Sequence, residues 1–402
     1  MSQLGRWGVL LVVGLGACEV LIMISPFAGF FYAGARFEPI LGFLSTSAAT
    51  AWLDGFFLNH SVVTDSGLLE WQRKIGGLLF TLGLWGFLIS AAQVYGNKML
   101  RRGVAKGLLY RVSRHPQYLC LIVAGWGLLT IWPRFLLLGF WVTMLFLYAG
   151  LSRFEEWRMA ERFGDDYRRY ANSRGAFLPG NPVRRLFEAT FGRLRPRALG
   201  WISAYVVCLT LAFALAGLLR GYTREHTVIV ERADAEMVVI SAWPQPVEWV
   251  EGVVDATLAD EHVRAHLEEH GRGPLVATVL PDRYVMKGMY YKMQVDSGRP
   301  RASALRRIGR IALMFLFPIE GVTRPENFMG LDPDESDGPV EVVISAAEKP
   351  YKDELSLNEA LDASVRLTPL LVAELMPHGD EVSMRIPLPQ NRWGPRVVMP
   401  LF

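Results

Sequence analysis

Long apolar runs alternate with short arginine-dense stretches through the first half of the chain, and the second half changes to brief strand-like segments. Runs of roughly 17–25 apolar residues match the thickness of a bilayer core when helical. They occur at about 7–33, 75–96, 116–132, 134–152 and 199–219. A sixth run, 38–58, contains Ser45, Thr46, Ser47 and Asp54, so it reads either as a span or as a re-entrant or interfacial segment. The first run has neither the short apolar core nor the small-residue cleavage site of a signal peptide and reads as a retained span.

Beyond about residue 222, the stretches Thr227 to Val230, Met237 to Ala242, Pro274 to Leu280, Tyr284 to Val295 and Val382 to Leu388 predict strands. Here Val238-Val239-Ile240-Ser241-Ala242 recurs as Val342-Val343-Ile344-Ser345-Ala346. Helical patterns follow at 247–269 and 356–376, then His270-Gly271 and His378-Gly379, then Leu280-Pro281 and Leu388-Pro389. Landmarks that keep their order predict two β-α-β-β repeats, 227–298 and 311–402. The expected fold is an α-helical polytopic membrane domain of five or six spans at 1–219, followed by a soluble α+β domain at 222–402 carrying that internal duplication.

Composition agrees with the pattern. With 51% hydrophobic residues, 12 Trp and a mean hydropathy of +0.23, the chain is too apolar for an ordinary soluble enzyme. Lys98, Arg101, Arg102, Lys106, Arg111 and Arg114 crowd 97–115, and 153–198 is denser still. The positive-inside rule puts both loops in the cytoplasm. Six spans then make 222–402 extracytoplasmic, as expected of a bacterial inner (plasma) membrane protein. The net charge of +3 reflects this orientation and gives no case for nucleic-acid binding. Cys18, Cys120 and Cys208 fall in apolar runs without metal-ligand spacing, and His270 and His378 read as loop residues, so no metal is expected. Glu19 and Asp54 are costly within spans and read as interface residues paired with Arg36 or His60, with a catalytic role as the alternative.

The candidate chemistry lies at one end of a helical hairpin. Arg114-His115-Pro116-Gln117-Tyr118 opens the run at 116, where proline suits a first helical turn. Trp132-Pro133-Arg134 turns the chain, and the returning helix brings Arg153, Glu155 and Glu156 to the same face. A helix N-terminus with Arg and His suits an anion, and the glutamates suit a cation. Taken one at a time, these residues read as membrane anchors or the start of a solvated helix. Taken together they suit a small zwitterionic ligand.

Gly107, Tyr110 and Arg114-His115-Pro116-Gln117-Tyr118, followed by Glu155-Glu156, Phe163-Gly164, Tyr167, Tyr170 and Leu178-Pro179, resemble the membrane methyltransferases typified by isoprenylcysteine carboxyl methyltransferase and the phospholipid methyltransferases. The likeness covers about 75–180. It implies S-adenosylmethionine as cofactor, held by His115, Tyr118, Glu155 and Glu156 on the cytoplasmic side. It implies Arg114 and Arg153, with Glu156, at the reacting end, and a membrane lipid or lipid-linked acceptor bearing a carboxylate, amine or thiol. Met159 stands where the family usually has Leu, and 173–176 lack its Val-Pro. One alternative is a non-catalytic membrane subunit whose domain at 222–402 binds a protein partner. Another is an NADPH-dependent sterol-type reductase, disfavoured because Gln117-Tyr118-Leu119-Cys120-Leu121 replaces the expected Asn-Tyr-x-Gly-Glu.

Overall fold

The computed structural model describes residues 43–44, 46–59, 62–100, 105–282, 284, 287, 290–291, 338–376 and 382–387. The expected span at 7–33, with Cys18 and Glu19, lies outside them, as do Arg36, His60 and His378. The chain forms two compact units. One is built from 79–129 and 137–212, the other from described residues within 36–78, from 130–136, and from 213 onward.

Before the sheet, the described residues form helices α1 (Gly67–Met99), α2 (Pro116–Ile131), α3 (Phe135–Ser173), α4 (Pro182–Thr190) and α5 (Arg197–Glu225). Of these, α1, α3 and α5 are long and apolar enough to cross a membrane. Five or six spans were expected, and the described residues hold these three plus a shorter apolar helix. Pro116 begins α2 and Pro133 follows its end, which limits it to 16 residues. At 1.5 Å per residue that is about 24 Å, short of a bilayer core of about 30 Å.

The sixth expected span is also corrected. Its described part forms turns and a short 3-10 helix, Ala51–Asp54. Hydroxyls capture backbone carbonyls there, Thr46 Oγ1 donating to Phe43 O at 2.7 Å and Thr50 Oγ1 to Leu44 O at 2.6 Å. Such local bonds compete with a regular helix. Asp54 is paired, as anticipated for an interface residue, but its partner is the buried Arg134.

In the first unit α1 and α2 meet where side chains are smallest. A Cβ on Gly83 would stand 2.5 Å from Ala124 N and 2.6 Å from Cys120 O, so only glycine permits this approach. Ile202, Val206 and Leu211 on α5 remain exposed, a surface suited to hydrocarbon rather than water.

The second unit contains a six-stranded sheet in the order β1 (Ile229–Arg232), β2 (Met237–Ser241), β3 (Leu275–Pro281), β4 (Val340–Glu348), β5 (Arg366–Leu375), β6 (Val382–Arg385). Only the β2–β3 pair is parallel, and its crossover carries α6 (Val247–Ala259) and α7 (Glu261–His270). Asp260 caps α7, accepting from His262 N and Val263 N at 3.0 Å each. Strands β2 and β3 are buried throughout, in keeping with their near-continuous apolar sequences. Val250, Val254 and Val263 join their core, together with Ala360, Leu361 and Val365 from the loop before β5.

The duplicated pentapeptides occupy β2 and β4, which flank β3 in opposite senses. Downstream of these strands the two copies diverge. Two helices succeed β2, whereas the expected helix over 356–376 is replaced by a 3-10 turn, Leu357–Glu359, and strand β5. Of the strand expected over 284–295, Tyr284, Lys287, Tyr290 and Tyr291 are described and none of them is in a strand; the rest lies outside the described residues.

Candidate functional site

Two features aim the hairpin's charged groups. The first is length. Glu155 stands 20 residues after the start of α3, about 30 Å along a helix, which is one bilayer thickness from the Trp132–Arg134 turn. Gly164, with φ +52°, then breaks the helix and redirects its last turns.

The second feature is a strap. Ser113 and Gly175 form a parallel bridge, Arg114 N donates to Gly175 O at 3.0 Å, and His115 N donates to Ala176 O at 3.0 Å. Ser113 Oγ donates to Ala176 O at 2.8 Å, and Asn181 Oδ1 accepts from Ala176 N at 2.7 Å. The backbone of the Arg-His-Pro motif is thereby fixed before its side chains are considered. Gly175 is required here, since a Cβ would fall 1.8 Å from Leu178 O. Tyr170 OH ties the preceding turn by donating to Tyr110 O at 2.9 Å.

Five of the six expected site residues converge. His115 Nε2 lies 3.1 Å from Glu156 Oε1 and its Nδ1 lies 3.3 Å from Glu155 Oε2. Arg114 Nη2 lies 3.2 Å from Glu156 Oε1, and Tyr118 OH donates to Glu155 Oε1. A neutral imidazole has one donor, so carboxylates facing both ring nitrogens favour the doubly protonated ring. Burial opposes that charge, but the hydrogen bonds that His115 donates to Glu155 and Glu156 outweigh it and raise the His115 pKa above its ordinary value.

Exposure grades across the cluster. The His115 side chain is 7% exposed and that of Glu155 is 45% exposed. Two donors, Arg114 Nε and Gln117 Nε2, are buried without a partner among the described residues. Buried polar groups are usually satisfied. The arrangement thus offers a buried cationic floor with spare donors and an accessible carboxylate at its rim.

Arg153, the sixth expected residue, stands apart. Its guanidinium lies over the Trp201 ring, 4.0 Å from the centroid, and it forms no ion pair with Glu155 or Glu156.

Other participants had no signal in the motif pattern. Tyr148 stacks on Tyr118 at 4.8 Å and Phe177 approaches His115 at 6.1 Å, both aromatic residues indistinguishable in sequence from ordinary packing. Asn181 carried a usable cue, because Asn-Pro favours a turn.

Among the described residues no group of three or more His, Cys, Asp or Glu is placed to hold a metal ion. No match to this chain is found among protein-family models, curated proteins or solved structures, so the functional reading stands on side-chain geometry and motif residues.

Proposed function

We propose that this chain transfers a methyl group from S-adenosylmethionine to a lipid or lipid-linked acceptor at the cytoplasmic membrane face. The observation that carries this reading is the convergence of Arg114, His115, Tyr118, Glu155 and Glu156 at one end of the α2–α3 hairpin. The donor set fits the cofactor. A spare buried donor at Arg114 Nε suits a carboxylate, and the half-exposed Glu155 suits an ammonium or ribose hydroxyls.

His115, Tyr118, Glu155 and Glu156 would hold the cofactor, which supplies an electrophilic methyl group on a sulfonium. The residues' work is positional. The strap fixes Arg114 and His115, and the Tyr118–Tyr148 stack walls off one side. Arg114 and Arg153 would orient an anionic or lipid-linked acceptor, whose carboxylate, amine or thiol brings its own nucleophile. No strong base is needed, consistent with Glu156 being occupied by Arg114 and His115.

A second reading, a non-catalytic membrane subunit binding a protein partner through 222–402, is favoured by that same mutual neutralisation, since an ion-pair knot can simply lock a hairpin. Calorimetry separates the two. S-adenosylmethionine is titrated into the purified full chain in detergent, with Glu156→Ala and His115→Ala alongside. Micromolar binding lost in both variants is the expected result. No binding by folded parent protein would remove the methyltransferase reading and leave the scaffold.

A further inference from the structure

Helix α4 is amphipathic, yet none of its residues is buried. Helical spacing places Val183, Leu186, Phe187 and Thr190 on one stripe. Phe187 leans on Trp201, 5.2 Å between ring centroids, while Val183 and Leu186 are 64% and 65% exposed. An apolar stripe of this kind is unfavourable against water and marks a contact surface.

The charge around the stripe is one-sided. Residues 182–197 hold Arg184, Arg185, Arg193, Arg195 and Arg197 against the single acid Glu188. All five arginines are exposed, and among the described residues none of them makes an ion pair. Arg153 nearby faces Arg184 and Arg197 as like charges and Glu156 and Glu188 as opposite ones. Such crowding of cations is stabilised by anions from outside the chain.

Position names the partner. Residues 191–196 lead from α4 directly into α5, a helix long and apolar enough to cross a membrane, and Trp201 lies in its opening turns. A short basic amphipathic helix beside the entry point of a span fits the plane of a bilayer surface. An acidic soluble protein would match the arginines but would need its own apolar groove for Val183 and Leu186. A lipid surface supplies both phosphate and hydrocarbon.

We propose that α4 and its flanking arginines form an interfacial docking surface for anionic phospholipids, with Val183 and Leu186 at the acyl boundary and Arg184 and Arg185 on headgroup phosphates. This rests on α5 spanning a bilayer and is independent of methyl transfer.

The test is native mass spectrometry of the full-length protein in mild detergent, titrated with phosphatidylglycerol or phosphatidylcholine. Three proteins are compared: the parent, Arg184→Gln/Arg185→Gln, and Leu186→Asp. The parent should retain phosphatidylglycerol more tightly, and each arginine removed should weaken that preference roughly fivefold. Leu186→Asp should weaken both lipids, and excess inorganic phosphate should leave phosphatidylglycerol bound. All three substituted residues are exposed, so an unchanged melting temperature is expected and serves as the folding control. Equal retention of the two lipids by the parent, an undiminished preference in the double glutamine variant, or complete displacement by phosphate would each overturn the proposal. None of these readouts involves S-adenosylmethionine, so failure here is distinguishable from failure of the methyltransferase reading.

Discussion

Each half of the molecule buries a charge cluster, and the two clusters are finished differently. In the sheet unit, Lys287 Nζ lies 2.9 Å from Glu341 Oε1 and 2.8 Å from Asp282 Oδ1. Glu341 also accepts from Tyr291 OH at 2.6 Å and from Arg385 Nη2 at 3.0 Å. Lys287 and Glu341 are both nearly inaccessible, and every charge has a partner. In the helical unit, Arg114 and His115 are comparably buried, but donors on Arg114 and Gln117 are left over and Glu155 reaches solvent. A closed cluster holds a fold together; a cluster with spare donors and an accessible carboxylate is suited to receive something.

The largest effect is expected of Glu341→Ala. It leaves Lys287 buried beside the half-exposed Asp282 and should cost about 3–5 kcal/mol, as expected when one partner of a buried pair is removed. Denaturant unfolding of the full chain would measure it, with any affinity for the proposed cofactor unchanged. A loss below about 1 kcal/mol would mean that the closed cluster does not hold the sheet. Next in size is Gly175→Ala. The new methyl must displace the Leu178 carbonyl, so the strap opens at a cost of about 1–3 kcal/mol. Unlike Glu341→Ala, it should lower affinity for the proposed cofactor too, because Arg114 and His115 hang from that strap. Loss of stability with full affinity would show that the strap does not position the motif.

Titration sharpens the contrast. The His115 pKa is raised, so its contribution to stability is complete below the ordinary histidine value of about 6.5 and is lost as pH climbs through the folded value. Lys349 in the sheet unit is also raised: burial opposes its charge, and hydrogen bonds to Asp362 and Glu359 overcome that. Its contribution begins to fade only above the ordinary lysine value near 10.4. Melting temperature measured between about pH 6 and pH 9 should therefore fall in the parent, and fall less in His115→Gln. Equal slopes in the two proteins would remove His115 from the account.

The hairpin was legible in the sequence because prolines at 116 and 133 punctuate it and the helical rise places Glu155 at its open end. The contacts that escaped were tertiary. Nothing near Asp54 pointed to Arg134, eighty positions away, as its partner. The helical pattern over 356–376 failed for a readable reason. Leu357-Asn358-Glu359 forms one turn closed by the Ser356–Glu359 capping box, and Pro369 then stops any helix. Pairing with β4 converts the rest to strand, and Pro369 sits opposite Ser345, where the register shifts. Both pentapeptides fall on strands, but local propensity could not specify the element after each strand.

The finest distinction concerns Tyr118, which serves the open cluster in two ways. Its hydroxyl donates to Glu155, and its ring stacks on Tyr148. Tyr118→Phe keeps the stack and deletes the bond, and because Glu155 retains solvent access the freed carboxylate is rehydrated rather than stranded. Stability should therefore change by no more than about 0.5–1.5 kcal/mol. Cofactor affinity should fall by a similar free energy, roughly threefold to tenfold, because a rehydrated Glu155 is no longer held in place for a cationic ligand. Tyr118→Leu removes both contacts and should cost more in both measurements. If the phenylalanine variant binds as tightly as the parent while the leucine variant does not, the ring alone matters, and Glu155 is oriented by His115 rather than by the tyrosine.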